Sequence, residues 1–231
     1  MVSVIIPAYN EEKTIGQVIE SLRSHPLVEE ILVVNDGSTD KTAAIATAAG
    51  ATVVYSLPVN QGKAAAMHYG VDHAKNDLIL FVDADIDGLT HETITELIGA
   101  VAGGGFGMAV ALRGRGIYWS NKILRIFPAI GGERALSKEL WRRLPHHLIK
   151  GFQIEIALNY YAKSTGVRMK LIFAPTLRQT IKERKYGLFN GLWRRARMIT
   201  EMCVIGIQLY FLDALRIKVY SPAKEKISTR V

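Results

Sequence analysis

The stretch LILFVDAD, residues 78–85, decides the fold of this chain. Its first five residues, Leu78 to Val82, are all apolar. They predict a strand buried on both faces of a parallel sheet, because a half-exposed strand would alternate apolar and polar residues. Side chains two positions apart on an extended chain point the same way. Asp83 and Asp85 should therefore both face the crevice beyond the carboxyl end of the strand, where open α/β sheets bind ligands.

Two carboxylates on one side of a strand end repel each other unless a cation lies within reach. Hard oxygen ligands suit Mg²⁺ or Mn²⁺, and either ion would also bind phosphate oxygens. Asp83 and Asp85 are therefore candidate metal ligands. Two other interpretations stay open: acids that end a strand and cap the helix that Thr90 could begin, and a solvated acidic turn. An EF-hand is excluded, because its twelfth position is Ile94, where a bidentate glutamate is needed.

The composition fits one globular domain with an ample core, or one domain with a short appendage. Of the 231 residues 49% are hydrophobic, and the net charge is +8 with a pI near 9.6. This charge suggests an anionic partner: a nucleotide, a nucleic acid or an acidic membrane surface. The single Cys203 excludes a disulfide framework and a cysteine-based zinc site. The apolar run 202–212 is shorter than the ~20 residues of a membrane-spanning helix.

Upstream of residue 78, strands and helices alternate. Apolar runs predict strands at 2–7, 31–34 and 52–55, with Pro7 expected to end the first. A helix with an apolar face follows the first strand, an alanine-rich helix follows the second, and 64–74 forms a third. The order βαβαβαβ predicts a doubly wound, mostly parallel sheet flanked by helices.

Each junction between a strand and the next helix carries a polar residue at the carboxyl edge of the sheet. These residues are Glu11, Asp36, Lys63, Asp83 and Asp85. Any one of them fits a helix cap or a solvated loop, but together they line one crevice. Neither glycine-rich phosphate-binding motif occurs in the chain. A bound nucleotide diphosphate would therefore have to be neutralised by metal and cationic side chains.

Four segments at these strand ends resemble the inverting family 2 glycosyltransferases of the GT-A fold. They are VSVIIPAYNEE (2–12), VVNDGSTDKT (33–42), NQGKAAAM (60–67) and the D-x-D type VDAD (82–85). The resemblance implies a GT-A nucleotide-diphospho-sugar transferase fold. It also implies that Asp83 and Asp85 lie by the ribose and the metal-bound diphosphate, with Lys63 at the same donor site. The base and ribose would be held by Pro7, Tyr9, Asn10, Glu11 and Asp36. Asp36 can accept an N–H from uracil or guanine, so UDP and GDP both stay open.

Two segments of the second half resemble transferases that act on polyprenyl phosphates. Residues 131–140, GGERALSKEL, place Arg134 where those enzymes have an arginine, and a predicted strand at 107–112 leads to Arg113 and Arg115. Arginine forks match phosphate geometry, so these three arginines are candidates for holding the acceptor phosphate. Residues 151–156, GFQIEI, resemble the dolichol-phosphate mannosyltransferase segment. That likeness implies Gln153 as a metal ligand and Glu155 near the acceptor; an ordinary exposed helix acid is the alternative for Glu155.

The C-terminal part begins with a predicted strand at 168–173 and a basic segment, 182–187, which resembles the loop that closes over the diphosphate in these transferases. Arg184 and Lys185 are its candidate residues, and a solvated charge run is the alternative. We predict a catalytic domain over 1–185. Residues 186–231 would form an amphipathic helix and a polar tail, which pack either on the domain or on anionic lipid.

The predicted reaction is a metal-dependent, inverting transfer of a hexose from UDP- or GDP-sugar to a polyprenyl-phosphate acceptor. Mg²⁺ or Mn²⁺ held by Asp85, together with Arg184, would stabilise the departing diphosphate. A lipid phosphate needs no base, whereas a hydroxyl acceptor would need Glu155. The expected partners are a nucleotide-sugar donor and a lipid phosphate. We expect a cytoplasmic protein, with the inner face of the plasma membrane as the place of any peripheral contact.

Three alternatives differ from this prediction. The first is a transferase with a soluble hydroxyl or phosphorylated small-molecule acceptor. The second is a basic nucleic-acid-binding module, which is disfavoured because no motif that reads RNA or DNA occurs. The third is a nucleotidyltransferase, which would normally have a first loop rich in glycine and basic residues. The first loop here is PAYNEE, residues 7–12.

Overall fold

The structure is a computed structural model that describes residues 1–113, 131–144 and 154–179. Predictions for Arg115, Gln153, Arg184 and Lys185, and for the helix and tail over 186–231, fall outside these residues. The elements in chain order are β1 (Val2–Ala8), α1 (Ile15–Arg23), β2 (Val28–Asp36), α2 (Thr42–Ala48), β3 (Val53–Leu57), α3 (Lys63–His73), β4 (Leu78–Phe81), β5 (Ile86–Asp87), α4 (His91–Ala102), β6 (Met108–Arg113), β7 (Arg134–Ser137), α5 (Lys138–Arg142), α6 (Ile154–Ser164), β8 (Met169–Ala174) and β9 (Arg178–Gln179).

Seven strands form one mixed sheet in the order β3-β2-β1-β4-β7-β6-β8. Strand β7 runs antiparallel to both of its neighbours, β4 and β6, and every other pairing in this sheet is parallel. The predicted mostly parallel sheet flanked by helices is confirmed. A separate two-stranded antiparallel sheet pairs β5 with β9, so residues just after Asp85 are tied to the end of the described chain.

The strand over residues 78–81 lies at the centre of the sheet and is buried on both faces, as its composition predicts. Leu80 and Val82 belong to the apolar core on one face, and Ile79 and Phe81 belong to the core on the other. Helices α1 and α4 contribute to the first core, and α3, α5 and α6 to the second. The carboxyl end of β4 therefore emerges from a layer that is packed on both faces.

Strand β1 continues through Pro7 to Ala8, so the prediction that Pro7 ends it is wrong. Pro7 is in register with Val34 of β2. Pairing of β1 with β4 stops at Ile5, and beyond that residue β1 has a strand on one side only. A proline is tolerated in such a position, as it is on an edge strand, because an N–H on the open side has no ladder partner to lose.

Helix α4 begins as the sequence predicts. The Thr90 hydroxyl accepts a hydrogen bond from the Thr93 N–H, which satisfies one of the unpaired donors of the first turn. Among the described residues, no helix is both long enough and apolar enough to cross a bilayer.

Candidate active site

Lys63 connects two acids at the carboxyl edge of the sheet. It is the first residue of α3, and its Nζ lies 2.7 Å from Asp83 Oδ1 and 2.6 Å from Glu155 Oε1. Asp83 follows β4 closely, and Glu155 lies in the first turn of α6. Only 6% of Glu155 is exposed, so the interpretation of this residue as an exposed helix acid is wrong. Lys63 therefore joins the predicted metal-binding strand end to the segment predicted to face the acceptor.

Arg113, the last residue of β6, holds the other side of the same aspartate. One terminal nitrogen, Nη2, lies 3.0 Å from Asp83 Oδ2 and 2.7 Å from Glu133 Oε1. Its Nε donates to Glu133 Oε2 at 3.3 Å, and its Nη1 donates to Gln179 Oε1 at 2.6 Å. The guanidinium thus binds three different side chains at once.

Six ionisable side chains form what we call the charge cluster: Lys63, Asp83, Arg113, Glu133, Arg134 and Glu155. Three are basic and three acidic, so their formal charges cancel. Arg134 and Glu133 are fully buried, and Asp83 and Arg113 are each 14% exposed. Burying charges is costly unless they are paired and hydrogen-bonded, and this arrangement meets both conditions for Asp83.

The protonation states follow from the competition between burial and pairing. Burial alone would raise the pKa of Asp83, but the charges of Lys63 and Arg113 outweigh burial and lower the pKa to about 2. Burial opposes the charged form of Lys63, yet Asp83 and Glu155 raise its pKa above the ordinary value. Burial raises the pKa of Glu133, and the negative charge of Asp83 adds to that rise. At neutral pH Asp83 is therefore ionised and Lys63 is protonated.

This arrangement predicts an acid-dependent loss of stability that involves Asp83. The folded pKa of about 2 lies below the unfolded value, so the contribution is fully present above about pH 4 and is lost as pH falls toward 2. It amounts to roughly 2 kcal/mol in the free energy of unfolding. Urea unfolding between pH 6 and pH 2.5 should show a steeper loss for the parent than for Asp83→Asn. Asp72→Asn, at an exposed acid, is the control and should parallel the parent. Equal slopes for the parent and Asp83→Asn would contradict the assignment.

Asp85 reaches the same group of side chains through Gln179. The Gln179 Nε2 donates to both carboxylate oxygens of Asp85, at 3.0 and 2.9 Å, while its Oε1 accepts from Arg113. Arg113 in turn binds Asp83. The two aspartates are therefore linked by one chain of hydrogen bonds. Strand β4 ends at Phe81 and residues 84 and 85 form a turn, so the extended chain on which the predicted common direction of Asp83 and Asp85 was based is absent.

Asp36 anchors the loop that leads into α3. Its carboxylate accepts from the backbone N–H of Gln61 at 2.7 Å and of Gly62 at 2.8 Å. Gly37, at φ +70°, allows the loop after β2 to approach closely, because a Cβ there would lie 2.6 Å from the Asn60 nitrogen. Asp36 thus positions Lys63, a role that the sequence did not indicate. Its predicted contact with a base stays a prediction.

The loop after β1 is fastened to the loop after β2. Asn10 adopts φ 54°, its N–H donates to Ser38 Oγ at 2.9 Å, and its Oδ1 accepts from the Thr39 N–H at 2.9 Å. The Glu11 N–H donates to Thr42 Oγ1 at 2.8 Å. Tyr9 is 40% exposed beside these bonds. The predicted nucleotide-binding residues of both loops thus share one edge of the sheet.

One known protein family matches most of the chain, including this site. The model of the family described as Glycosyl transferase family 2 matches residues 3–171, well over half of the chain. The chain belongs to glycosyl transferase family 2. The matched residues include the whole charge cluster, so the cluster lies within the family domain.

Curated relatives of the chain include 4,4'-diaponeurosporenoate glycosyltransferase of Staphylococcus aureus (strain USA300), 42% identical over 100 residues. That match covers 42% of this chain and 27% of the relative, so the chain spans only about a quarter of the relative's length.

Solved structures of glucosyl-3-phosphoglycerate synthase from Mycobacterium tuberculosis are also similar to this chain. A complex with Mg²⁺ and UDP has a TM-score of 0.67 and 27% identity, covering 78% of this chain and 71% of the synthase chain. A complex with Mn²⁺, UDP and glucosyl-3-phosphoglycerate has a TM-score of 0.74 and 25% identity, covering 90% and 79%. The predicted GT-A fold is confirmed.

The acceptor role predicted for Arg134 is wrong. Arg134 is fully buried, and its guanidinium donates to the carbonyl oxygen of Gly131 at 2.6 Å and of Glu155 at 3.5 Å. It therefore fixes backbone and has no surface to offer a phosphate. The contacts of Arg113 described above are also internal, so its predicted acceptor role gains no support. Arg115, Gln153, Arg184 and Lys185 lie outside the described residues.

Two glycines that precede β7 bring bare backbone against Asp83 and against β6. A Cβ built on Gly132 would lie 2.1 Å from Asp83 Oδ2, and one on Gly131 would lie 2.4 Å from the Ala111 carbonyl oxygen. Neither position has room for a side chain unless its neighbours move. The carboxylate of Asp83 is thus enclosed by two cations and by the polypeptide backbone.

Asp85 is the described carboxylate that suits a divalent ion arriving together with a diphosphate. In the described parts of the chain, no group of three or more His, Cys, Asp or Glu side chains is placed to hold a metal. Mg²⁺ is commonly bound through one or two carboxylates, with substrate phosphates and water completing the shell. Asp85 supplies a carboxylate of this kind. Both oxygens of Asp83 are bonded to Lys63 and Arg113, so the predicted role of Asp83 as a metal ligand gains no support. Gln153, the third predicted ligand, falls outside the described residues. The donor set therefore suits an ion shared with a substrate.

Proposed function

We propose that this chain is a metal-dependent, inverting glycosyltransferase that moves a hexose from UDP- or GDP-sugar to a polyprenyl-phosphate acceptor. The observation that carries the proposal is the chain of hydrogen bonds that connects Lys63 and Asp83, through Arg113 and Gln179, to Asp85 just beyond the carboxyl end of the central strand. Family membership supports glycosyl transfer. The complexes of the similar synthase with UDP and Mg²⁺ or Mn²⁺ support the donor class and the metal.

Each described residue has a specific task in this proposal. Asp85 would hold Mg²⁺ or Mn²⁺, which supplies positive charge to the departing nucleoside diphosphate. Lys63 and Arg113 keep Asp83 ionised beside it. Asp36 fixes the loop that carries Lys63. Because these groups are oriented before the donor binds, they stabilise developing charge without reorganising.

The surroundings of Glu155 favour an acceptor that needs no base. Glu155 is buried and its carboxylate lies 2.6 Å from the protonated Lys63. A carboxylate paired in this way is poorly placed to take a proton from an acceptor hydroxyl, since a base must come within hydrogen-bond reach of that proton. A lipid phosphate is already an anionic nucleophile and avoids the difficulty.

A soluble phosphorylated acceptor is the second candidate. It is favoured by the similarity to glucosyl-3-phosphoglycerate synthase, which covers 90% of this chain, compared with 42% for the match to the diaponeurosporenoate enzyme. A partition assay distinguishes the two candidate acceptors by the phase in which the labelled product is found. Radiolabelled UDP-glucose or GDP-mannose is incubated with Mn²⁺ and either undecaprenyl phosphate or 3-phosphoglycerate. Label in the organic phase supports the lipid acceptor, and label only in the aqueous product overturns it.

Binding of the donor nucleotide is expected to require the metal. A ligand at a hundred times its dissociation constant stabilises the native state by about 2.7 kcal/mol, which for a domain of this size is a rise of roughly 5 to 11 °C in melting temperature. Thermal unfolding with UDP or GDP, each with and without Mn²⁺, should show this rise for one nucleotide only when Mn²⁺ is present. An unchanged melting temperature with every combination would contradict the proposed function.

A further inference from the structure

We propose that Gln179 is a positioning residue, which orients the Asp85 carboxylate for the metal and couples it to the charge cluster. The inference rests on the proposed function and adds a residue to its site. Gln179 does not stand out in the sequence. Its position between Asp85 and Arg113 exists only in the folded chain.

The backbone fixes where this side chain begins. Gln179 lies in β9 and is in register with Ile86 of β5, the residue that directly follows Asp85. The adjacent pair joins Asp87 and Arg178. Thr176 reinforces the same junction, because its hydroxyl donates to the Gly88 carbonyl oxygen at 2.8 Å. The position of the Gln179 backbone, from which the side chain extends, is thus set by strand pairing.

The chemistry of its partners fixes which way the amide points. Arginine has only N–H donors, so the atom that faces Arg113 at 2.6 Å must be the amide oxygen. An ionised carboxylate has only acceptors, so the atom that faces Asp85 must be the amide nitrogen. A flipped amide would place its NH₂ group against the N–H donors of Arg113 and its oxygen against the carboxylate oxygens of Asp85. Gln179 is therefore held in one orientation by charged groups on both sides.

An amide at this position orients Asp85 without neutralising it. The Gln179 Nε2 bonds both carboxylate oxygens of Asp85, and the amide carries no charge. A lysine there would neutralise Asp85, and a glutamate would repel it. When a residue that hydrogen-bonds a metal-ligating side chain is removed, the affinity for the metal typically falls by about 10- to 100-fold.

The test measures metal binding directly in the full chain. Gln179→Met keeps the length of the side chain and removes its three hydrogen bonds, one with Arg113 and two with Asp85. Mn²⁺ binding is followed by electron paramagnetic resonance of the unbound ion, with UDP or GDP present. We expect the Mn²⁺ dissociation constant to rise about 10- to 100-fold. The melting temperature without ligands is measured as well, since a purely structural role would lower it and leave the Mn²⁺ affinity of the folded protein unchanged.

A matched control lies nearby in the fold. Gln17 Nε2 donates to Asp87 Oδ1 at 2.9 Å on the exposed surface, the same amide-to-carboxylate bond outside the site. Gln17→Met should bind Mn²⁺ like the parent. If Gln179→Met does not fold, Gln179→Asn, which keeps the amide on a shorter side chain, takes its place. It should show a smaller loss of Mn²⁺ affinity.

The results separate this inference from the proposed function. If the parent binds Mn²⁺ and Gln179→Met or Gln179→Asn binds it equally well, the positioning role is overturned while the proposed function stands. If the parent binds no Mn²⁺ with either nucleotide, the proposed function fails and the inference fails with it. A loss in both Gln179 variants but not in Gln17→Met supports the role.

Discussion

Asp85→Asn should abolish sugar transfer and leave the fold intact. Neutralising this carboxylate removes a charge from the proposed metal site, and loss of several kcal/mol of charge stabilisation corresponds to about 10³-fold or more in rate. The fold should survive because the neighbouring Ala84 and Ile86, which belong to the apolar core, are unchanged. The amide oxygen of the substituted side chain can still accept the hydrogen bond from Gln179.

The measurement is initial-rate transfer from labelled nucleotide sugar with Mn²⁺ in excess, with circular dichroism and thermal unfolding to check the fold. Asp87→Asn is the matched control, because Asp87 lies two residues away, is exposed, and bonds Gln17 and the Gly88 N–H. This control should retain the parental rate within a few-fold. Equal rates for Asp85→Asn and the parent would remove Asp85 from the mechanism.

The second large effect is expected on stability, from Lys63→Met. Methionine keeps the apolar stem but removes the ammonium group that lies within 2.7 Å of both Asp83 and Glu155. Breaking a buried ion pair by deleting one partner typically costs about 3 to 5 kcal/mol, because the remaining charge stays buried. For a domain of this size the melting temperature should fall by roughly 6 to 20 °C.

Chemical denaturation gives the loss in free energy, and Lys13→Met at an exposed lysine is the control, expected within about 0.5 kcal/mol of the parent. The double variant Lys63→Met with Glu155→Gln removes one of the stranded charges and should recover part of the loss. A change no larger than that of Lys13→Met would mean that the Lys63 contacts contribute nothing to stability.

The parallel half of the fold could be predicted from sequence because its strands and helices each leave a pattern in a short stretch of consecutive residues. An uninterrupted apolar run such as 78–82 can be satisfied only between two covered faces, and the helices between the strands have clear apolar faces. Strand β7 was not predicted, because an arginine at its first position, Arg134, is typical of a segment exposed to solvent. Arg134 is buried because the carbonyl groups of Gly131 and Glu155 accept its donors, and a contact with a residue 21 positions away leaves no local pattern.

The candidate site was predicted where it depends on strand ends and missed where it depends on long-range pairing. Lys63 and Glu155 are 92 residues apart, yet both followed from motif resemblance, and the structure brings them together. Gln179 lies in a two-residue strand, which is too short to give a hydrophobic period. Glu133 precedes a segment that is buried in the structure. Its pairing with Arg113, 20 residues away in the chain, becomes visible only in the folded protein.

The contact between Gly132 and Asp83 has a consequence for protein engineering. Libraries meant to change acceptor preference would naturally vary residues 131–134, since this segment resembles acceptor-binding segments of related enzymes. Any side chain at position 132 would instead displace the aspartate, because a Cβ would come within 2.1 Å of its carboxylate. A substitution of Gly132 therefore disturbs the ionised Asp83 as well as its own segment, and we expect mutagenesis at this position to recover mostly inactive clones.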